Sequence, residues 1–438
     1  MTRVAARTGE TNARGNAGSA GGGDADARDE AEAEEFRALL TPRGQRLLEE
    51  VRGVEPAREL AEATRLRREH PPRLVAAALA QALLRQRAAA KFGPEAGRMY
   101  FTRDGLEQAT RAPVADWRAA RLAARGARRV ADLGCGIGGD ALALARAGLD
   151  VLAVDRSALA CAVAAANAEA LGLSSRVTVR RAAAQEVDPR AEGCDAAFAD
   201  PARRRGAGGG RVFDPEAYSP PLSWALGLAV RVPHTVLKTA PGLPHEVIPP
   251  QAEAEWVSHR GEVKEAVLWF GPEPPDAPRR ATLLPGPHEG APGPPTLAGN
   301  PRQAPDGPPG RYLYEPDGAV IRAGLVADVA EALEGRLLDP AIAYIAADRP
   351  RPTAFATGYE ITDVLPFQLK RLRALLRERG VGTLTVKKRG SAVVPEELRA
   401  RMRLSGPASC TVFLTRVAGA PTMLLGHPLA EGGAEGGA

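Results

Sequence analysis

The chain has 438 residues, of which 44% are hydrophobic and only 4% aromatic, with 58 Lys and Arg against 53 Asp and Glu. That length allows two or three domains with cores built mainly of Ala, Leu and Val, and the net charge of +5 suits a polyanionic partner without deciding for one. Four scattered cysteines (Cys135, Cys161, Cys194, Cys410) and six dispersed histidines argue against a zinc site or a disulfide framework, so no metal is expected.

No run of about 18 apolar residues occurs, so no membrane helix is expected. The first residues lack the basic-then-apolar order of a secretion signal, which predicts a cytoplasmic protein. Residues 1–30 are Gly, Ala, Asp and Arg in low-complexity order, too poor in apolar side chains to offset ordering entropy, and are predicted disordered. Residues 31–125 have helical periodicity. Phe36, Leu39, Leu40, Leu47, Leu48 and Val51 form one apolar face. A second helix starts after Pro71 and Pro72 and carries Leu74, Val75, Ala78, Leu79 and Ala82, with Gln81, Arg85 and Arg87 on its polar side. Met99 to Thr110 breaks the pattern at Gly105; it is either a cap over a ligand or a polar loop between helices.

Residues 126–270 form the central domain. The stretch RRVADLGCGIGGDALALARAGLDVLAVD, 128–155, is strand, glycine loop, helix, strand: a βαβ unit of the nucleotide-binding kind. Glycines allow the sharp turn and close approach of backbone to ligand. Asp155 ends the second strand, where a carboxylate can accept two ribose hydroxyls. Strands are predicted at 129–133, 150–154, 176–180, 194–199 and 233–238 with helices between, then a hairpin of 253–259 and 262–270 around Gly261. Residues 271–310 are rich in Pro and Gly and are predicted to be a linker or inserted loop. A connecting helical segment (311–352) and a small α+β module (353–425) follow. The module carries Lys387, Lys388 and Arg389 at a strand end, and 426–438 is a frayed tail.

The run D-x-G-x-G-x-G-G-D, from Asp132 to Asp140, resembles the first motif of class I S-adenosylmethionine methyltransferases. The resemblance implies S-adenosylmethionine as cofactor, with its methionine part near Asp132 and its ribose on Asp155. Gly134, Gly136, Gly138, Asp140 and Arg156 would complete the cradle. The family often has an adenine-binding acid after the third strand. Ala182 to Ala184 stand there, and Glu186 one turn on is the substitute.

The fourth strand ends in Asp200-Pro201-Ala202-Arg203-Arg204-Arg205-Gly206, at the place of the family's fourth motif. In amino-group nucleic-acid methyltransferases that motif is Asp or Asn, Pro, Pro, aromatic, and grips an exocyclic amine. Here Ala202 and Arg203 replace the last two; a flat guanidinium can stack on a base or hold a phosphate. The run also resembles the D-P-P-R-x-G of RNA 5-methyluridine methyltransferases, but the fifth strand, HTVLKTAPGL, has Lys238 where those enzymes have cysteine. A covalent thiol mechanism is therefore not expected. Lys238 binds a substrate anion, orients Asp200, or is a surface lysine paired with a nearby acid.

With the helical N-terminal region, GLEQAT, LKTAPGL and EPDGAVIRAGL, the chain resembles a bacterial family of S-adenosylmethionine-dependent methyltransferases with a C-terminal THUMP-like domain. That implies an α/β fold: a Rossmann-like seven-stranded class I sheet, a helical N-terminal region and a small α+β domain. It also implies an RNA substrate, a tRNA or rRNA base. Asp200, Pro201, Arg203 and Lys238 would line the acceptor side, and Arg203, Arg204, Arg205, Lys387, Lys388 and Arg389 would hold the RNA. The alternatives are a protein or small-molecule acceptor, or an RNA-binding protein that keeps the fold without catalysis.

Overall fold

The computed structural model describes residues 20–203, 216, 218–285 and 293–429. They fall into two compact units. One comprises the chain up to Ala123 with Arg128–Asp188; the other comprises Ala124–Ala127 with everything from Pro189.

The first unit opens with helices α1 (Ala20–Leu40), α2 (Pro42–Glu50), α3 (Glu59–Leu66), α4 (Pro72–Phe92), α5 (Arg103–Gln108) and α6 (Ala112–Ala124). Then come β1 (Arg129–Leu133), α7 (Gly139–Arg146), β2 (Asp150–Asp155), α8 (Ala158–Ala170) and β3 (Val177–Arg181). The three strands are parallel, with β2 between β1 and β3. Helix starts follow side-chain chemistry: Thr41, Thr102 and Ser157 each accept a hydrogen bond from an amide in the first turn of α2, α5 and α8.

Part of the segment expected to be disordered is helical, since α1 begins at Ala20; residues 1–19 lie outside the described residues. Composition alone missed this because the stabilising partners are distant in sequence. Ala33, Phe36 and Leu39 are buried, and Asp29 and Glu30 find partners beyond β2. Helix α4 buries Leu74, Val75, Ala78 and Leu79 as its periodicity predicts. Gln81, expected on the polar side, is buried as well: its amide donates to the Phe101 carbonyl (2.5 Å) and accepts from the Phe101 N–H (3.0 Å).

The second unit begins with β4 (Ala196–Ala199), β5 (Ala202–Arg203), β6 (Tyr218–Ser219), α9 (Leu222–Arg231), β7 (His234–Thr239), β8 (Glu253–His259), β9 (Glu262–Phe270), β10 (Arg279–Leu284) and β11 (Thr296–Gly299). Six of these strands lie in the order β11-β10-β8-β9-β7-β4. Strands β4 and β7 are parallel, while β9 runs antiparallel to β7 and forms the expected hairpin with β8. The hairpin turns through Arg260 and Gly261, both at positive φ (56° and 73°), which matches the right-handed strand twist.

The stretch expected to be a linker is instead partly sheet: β10 pairs parallel with β8, and β11 closes the edge. Proline density hid this. Proline is excluded only where a ladder amide is needed, and the short runs RRATLL and TLAG contain none.

The expected connecting helical segment likewise holds three strands. These are β12 (Tyr312–Pro316), β13 (Arg336–Asp339) and β14 (Ile342–Ala347), with α10 (Gly318–Ala323) and α11 (Val326–Ala332) between β12 and β13. They join β15 (Ala356–Pro366), β16 (Val381–Lys388), β17 (Ala408–Val417) and β18 (Ala420–Pro428) in a sheet ordered β13-β14-β12-β15-β18-β17-β16. Helices α12 (Leu369–Glu378) and α13 (Pro395–Met402) cover one face of this sheet. There Leu372, Leu376, Leu398 and Met402 pack with Val412 and Leu425. The other face buries Leu313, Tyr344, Tyr359 and Phe413. Helix α10 packs on β8, β9 and β10; Ser258 Oγ donates to its N-cap Asp317 (2.9 Å).

Candidate active site

After β1, Gly134, Gly136 and Gly138 take φ values of 98°, 54° and 84°, where a side chain would clash with its own backbone. The amides of Gly134 and Cys135 both donate to the Val154 carbonyl (2.8 and 2.9 Å), which hooks the loop over the end of β2. A Cβ on Gly138 would come within 3.2 Å of the Ala164 Cβ, so α7 and α8 approach as closely as glycine allows. On Gly136 a Cβ would meet nothing within 4 Å, leaving open space beside the backbone for a ligand.

The Asp155 carboxylate is part of this loop. Its Oδ2 accepts from the Gly136 amide and its Oδ1 from the Ser157 amide, each at 2.9 Å. A carboxylate offers about four acceptor positions, so two backbone bonds leave capacity for a vicinal diol. Asp132 is buried in β1. Burial first, and then the charges of Asp132 and Asp155, push the Cys135 thiol far above its ordinary range. Burial and Asp155 push Cys161 up to about 11. These thiols are poor nucleophiles, and the negative field they report suits a cationic ligand.

The other predicted cofactor residues have the following partners. Asp140 accepts from Thr110 (3.2 Å) and pairs with the buried Arg118 guanidinium. Its carboxylate thus ties α6 to α7. Arg156 is exposed, and its carbonyl accepts from Arg181 Nε (3.1 Å). Glu186 is exposed and folds back to accept from the Ala183 amide (3.1 Å), capping its own short turn.

One residue that the sequence did not single out holds the loop from behind. Asn167, fully buried in α8, accepts from the Tyr100 amide (2.6 Å) and donates to the carbonyls of Tyr100 (3.0 Å) and Ile137 (2.9 Å). A lone Asn in an alanine-rich helix was the available signal. The segment left open between cap and loop packs on the glycine turn: a Cβ on Gly105 would lie 2.3 Å from Ile137 Cγ2.

In the second unit, the β4–β7 register pairs Ala199 with Leu237 and so sets the following Asp200 beside Lys238. Lys238 Nζ donates to Asp200 Oδ2 at 2.5 Å; the carboxylate side chain is 35% exposed and the lysine 15%. This is a half-open ion pair at the carboxyl ends of two parallel strands, where α/β sheets present their reactive groups. An ionised carboxylate so held can accept a hydrogen bond from an attacking N–H or O–H. Pro201 is buried. The Arg203 backbone lies in β5 opposite Tyr218; Arg204 and Arg205 lie outside the described residues. Beyond β7, the Pro241 carbonyl accepts from Trp256 Nε1 (2.9 Å) and Arg322 Nη1 (3.0 Å), so the A-P-G-L turn is anchored from β8 and α10.

The predicted RNA-binding triplet is split between two faces of its strand. Lys387 pairs with Glu315 and lies 5.5 Å from the Tyr359 ring centre. Arg389 lies 3.6 Å from Glu315 and 5.5 Å from the Tyr344 ring centre. Only Lys388, on the opposite face, is exposed. Strand alternation explains the split, because residues two apart share a face. On α12, by contrast, Lys370, Arg371 and Arg377 are exposed and Arg373 half-buried.

Comparison with known proteins matches residues 130–202 to a methyltransferase domain, 356–428 to a THUMP domain-like family, and 32–88 to a domain of unknown function. Two curated relatives, from Mycobacterium tuberculosis strains CDC 1551 and H37Rv, are each described as an uncharacterized S-adenosylmethionine-dependent methyltransferase. Each is 35% identical over 347 residues, covering 76% of this chain and 91% of the relative. A crystal structure of a Porphyromonas gingivalis W83 protein described as a methyltransferase aligns over 92% of this chain and 99% of its own. Its TM-score is 0.70 and its identity 22%, so it speaks for the fold.

Proposed function

The chain belongs to the S-adenosylmethionine-dependent methyltransferases, with a THUMP-like domain at its C-terminus, and from that membership we propose that it methylates a base of tRNA or rRNA. The cofactor supplies an activated methyl group on a sulfonium, so the protein's main task is alignment. In this reading Asp155 accepts the ribose hydroxyls, and the glycine turn at 134–138 lies along the cofactor. Asp132 and Asp155 supply negative potential for its cationic end.

On the acceptor side, Asp200 takes a hydrogen bond from the nucleophilic atom, and Lys238 keeps that carboxylate oriented. Pro201 stiffens the strand exit, and Arg203 to Arg205 contact the RNA backbone or stack on a base. The observation that carries the acceptor assignment is the Lys238–Asp200 pair at the end of two parallel strands. For the RNA, support comes from the THUMP-like match and the α12 cations Lys370, Arg371, Arg373 and Arg377. Lys370, Arg373 and Arg377, at spacings of three and four, share one helix face, a row suited to successive phosphates.

Mass spectrometry of digested total RNA from wild-type and deletion strains tests the proposal: one methylated nucleoside should vanish and return on complementation. In filter binding, replacing the four α12 cations with alanine should flatten the salt dependence by about 0.7 for each phosphate no longer neutralised. Unchanged nucleosides together with methylation of a protein or metabolite would overturn the RNA reading.

A further inference from the structure

The N-terminal helix reaches the same turn that holds the Asp155 carboxylate. Asp29 in α1 accepts from Ser157 Oγ (2.6 Å) through Oδ1 and from the Ala158 amide (2.5 Å) through Oδ2. Ser157 N donates to Asp155 Oδ1, and Gly136 N donates to Asp155 Oδ2. A continuous chain of hydrogen bonds therefore runs from α1 to the glycine loop.

The next residue, Glu30, pairs with Arg181 at the end of β3. Arg181 in turn donates to the Arg156 carbonyl, and the Ala182 amide donates to the Asp155 carbonyl (3.0 Å). Two consecutive carboxylates thus fasten one helix across the carboxyl ends of β2 and β3. Burial works against the Asp29 carboxylate, but its bonds from Ser157 and the Ala158 and Leu159 amides, with the nearby Arg181 charge, hold its pKa below the usual value. Further along α1, Phe36 packs edge-on against Tyr100, with centroids 5.6 Å apart. The carboxylates are therefore presented by an anchored helix.

We propose that Asp29 and Glu30 are positioning residues of the cofactor site: α1 locks the 155–158 turn and the end of β3 in the geometry that receives the adenosyl group. Neither side chain needs to touch the cofactor. Each fixes a group that does, or that borders one: Asp29 through Ser157, Glu30 through Arg181. The proposal rests on the assignment of Asp155 to the ribose, and the two can fail separately.

Calorimetric titration of the full chain with S-adenosylhomocysteine tests it. Asp29→Asn with Glu30→Gln should raise Kd about tenfold, the scale expected for losing charge-assisted bonds behind a binding group. Glu34→Gln, at an exposed α1 site paired with Arg37, should stay within twofold. A purely structural role is separated by hydrogen exchange on the wild-type protein: S-adenosylhomocysteine should slow exchange in residues 24–35 as well as in 155–160. In the double variant the protection of α1 should disappear while that of the glycine loop persists. Affinity of the double variant within twofold of wild type, or no ligand effect on α1 exchange in the wild type, would overturn the proposal. If Asp155→Ala also leaves affinity unchanged, the ribose assignment fails instead.

Discussion

Replacing Asp155 with asparagine separates two roles that alanine would merge. Ribose hydroxyls can donate or accept, so an amide in place of the carboxylate can still bond a diol. Backbone amides only donate. Asp155 meets the Gly136 amide with one oxygen and the Ser157 amide with the other, both at 2.9 Å. Either orientation of the substituted carboxamide therefore points an NH2 at one of these N–H groups.

One charge-assisted bond is lost and one donor pair is set in opposition, at a cost of roughly 1.5–3 kcal/mol, part of it borne by the free protein. We expect affinity for S-adenosylhomocysteine to fall about tenfold or more, with Tm of the ligand-free protein falling by a few degrees, about 2–4 °C per kcal/mol for a unit of this size. Asp155→Ala should lose affinity further, about a hundredfold, since ribose bonding goes too. Calorimetry and ligand-dependent thermal melts measure both. If Asp155→Asn binds within twofold of wild type and melts normally, the carboxylate is not what orders the loop, and the reasoning fails.

Asp200→Asn and Lys238→Met should each lower single-turnover methyl transfer by about 10²-fold or more, with S-adenosylhomocysteine affinity within twofold; a loss confined to cofactor binding would contradict the acceptor-side assignment. Glu315→Gln leaves Lys387 and Arg389 half-buried without their shared carboxylate and should cost about 3 kcal/mol of stability by chemical denaturation. Burial lowers the Lys387 pKa, but bonds to Glu315 and Tyr359 outweigh that and raise it. The stabilisation is therefore full below the unfolded lysine value of about 10.4 and fades as pH rises through the folded one, and the gap between variant and wild type should narrow only there. With burial and the Asp155 charge pushing its thiol up to about 11, Cys161 should alkylate at pH 8 roughly a hundredfold or more slower than a free thiol, whose ordinary pKa is about 8.5. Asp155→Ala should speed that reaction, and rapid labelling of the wild type would refute the electrostatic account.

What could be seen in the residues alone was local and periodic. The glycine turn, the acid closing β2, the alternation of strands and helices and the β8–β9 hairpin all lie within short windows. There, backbone geometry and hydrophobic period are set by neighbours in the chain. The D-P-A turn and Lys238 were also visible, and their partnership only as one of three alternatives: a bond across 38 residues exists only once β4 and β7 lie side by side in register. Long-range pairing likewise decided that residues 20–30 are helical, that the proline-rich stretch carries β10 and β11, and that Asp140 serves Arg118. It put Lys387 and Arg389 around Glu315, 72 residues from Lys387, and left Lys370, Arg371 and Arg377 of α12 exposed. Local pattern says which side chains are available; which of them are already engaged depends on charges and donors brought close by folding, because an ion pair or buried hydrogen bond forms over a few ångströms of space, whatever the separation along the chain.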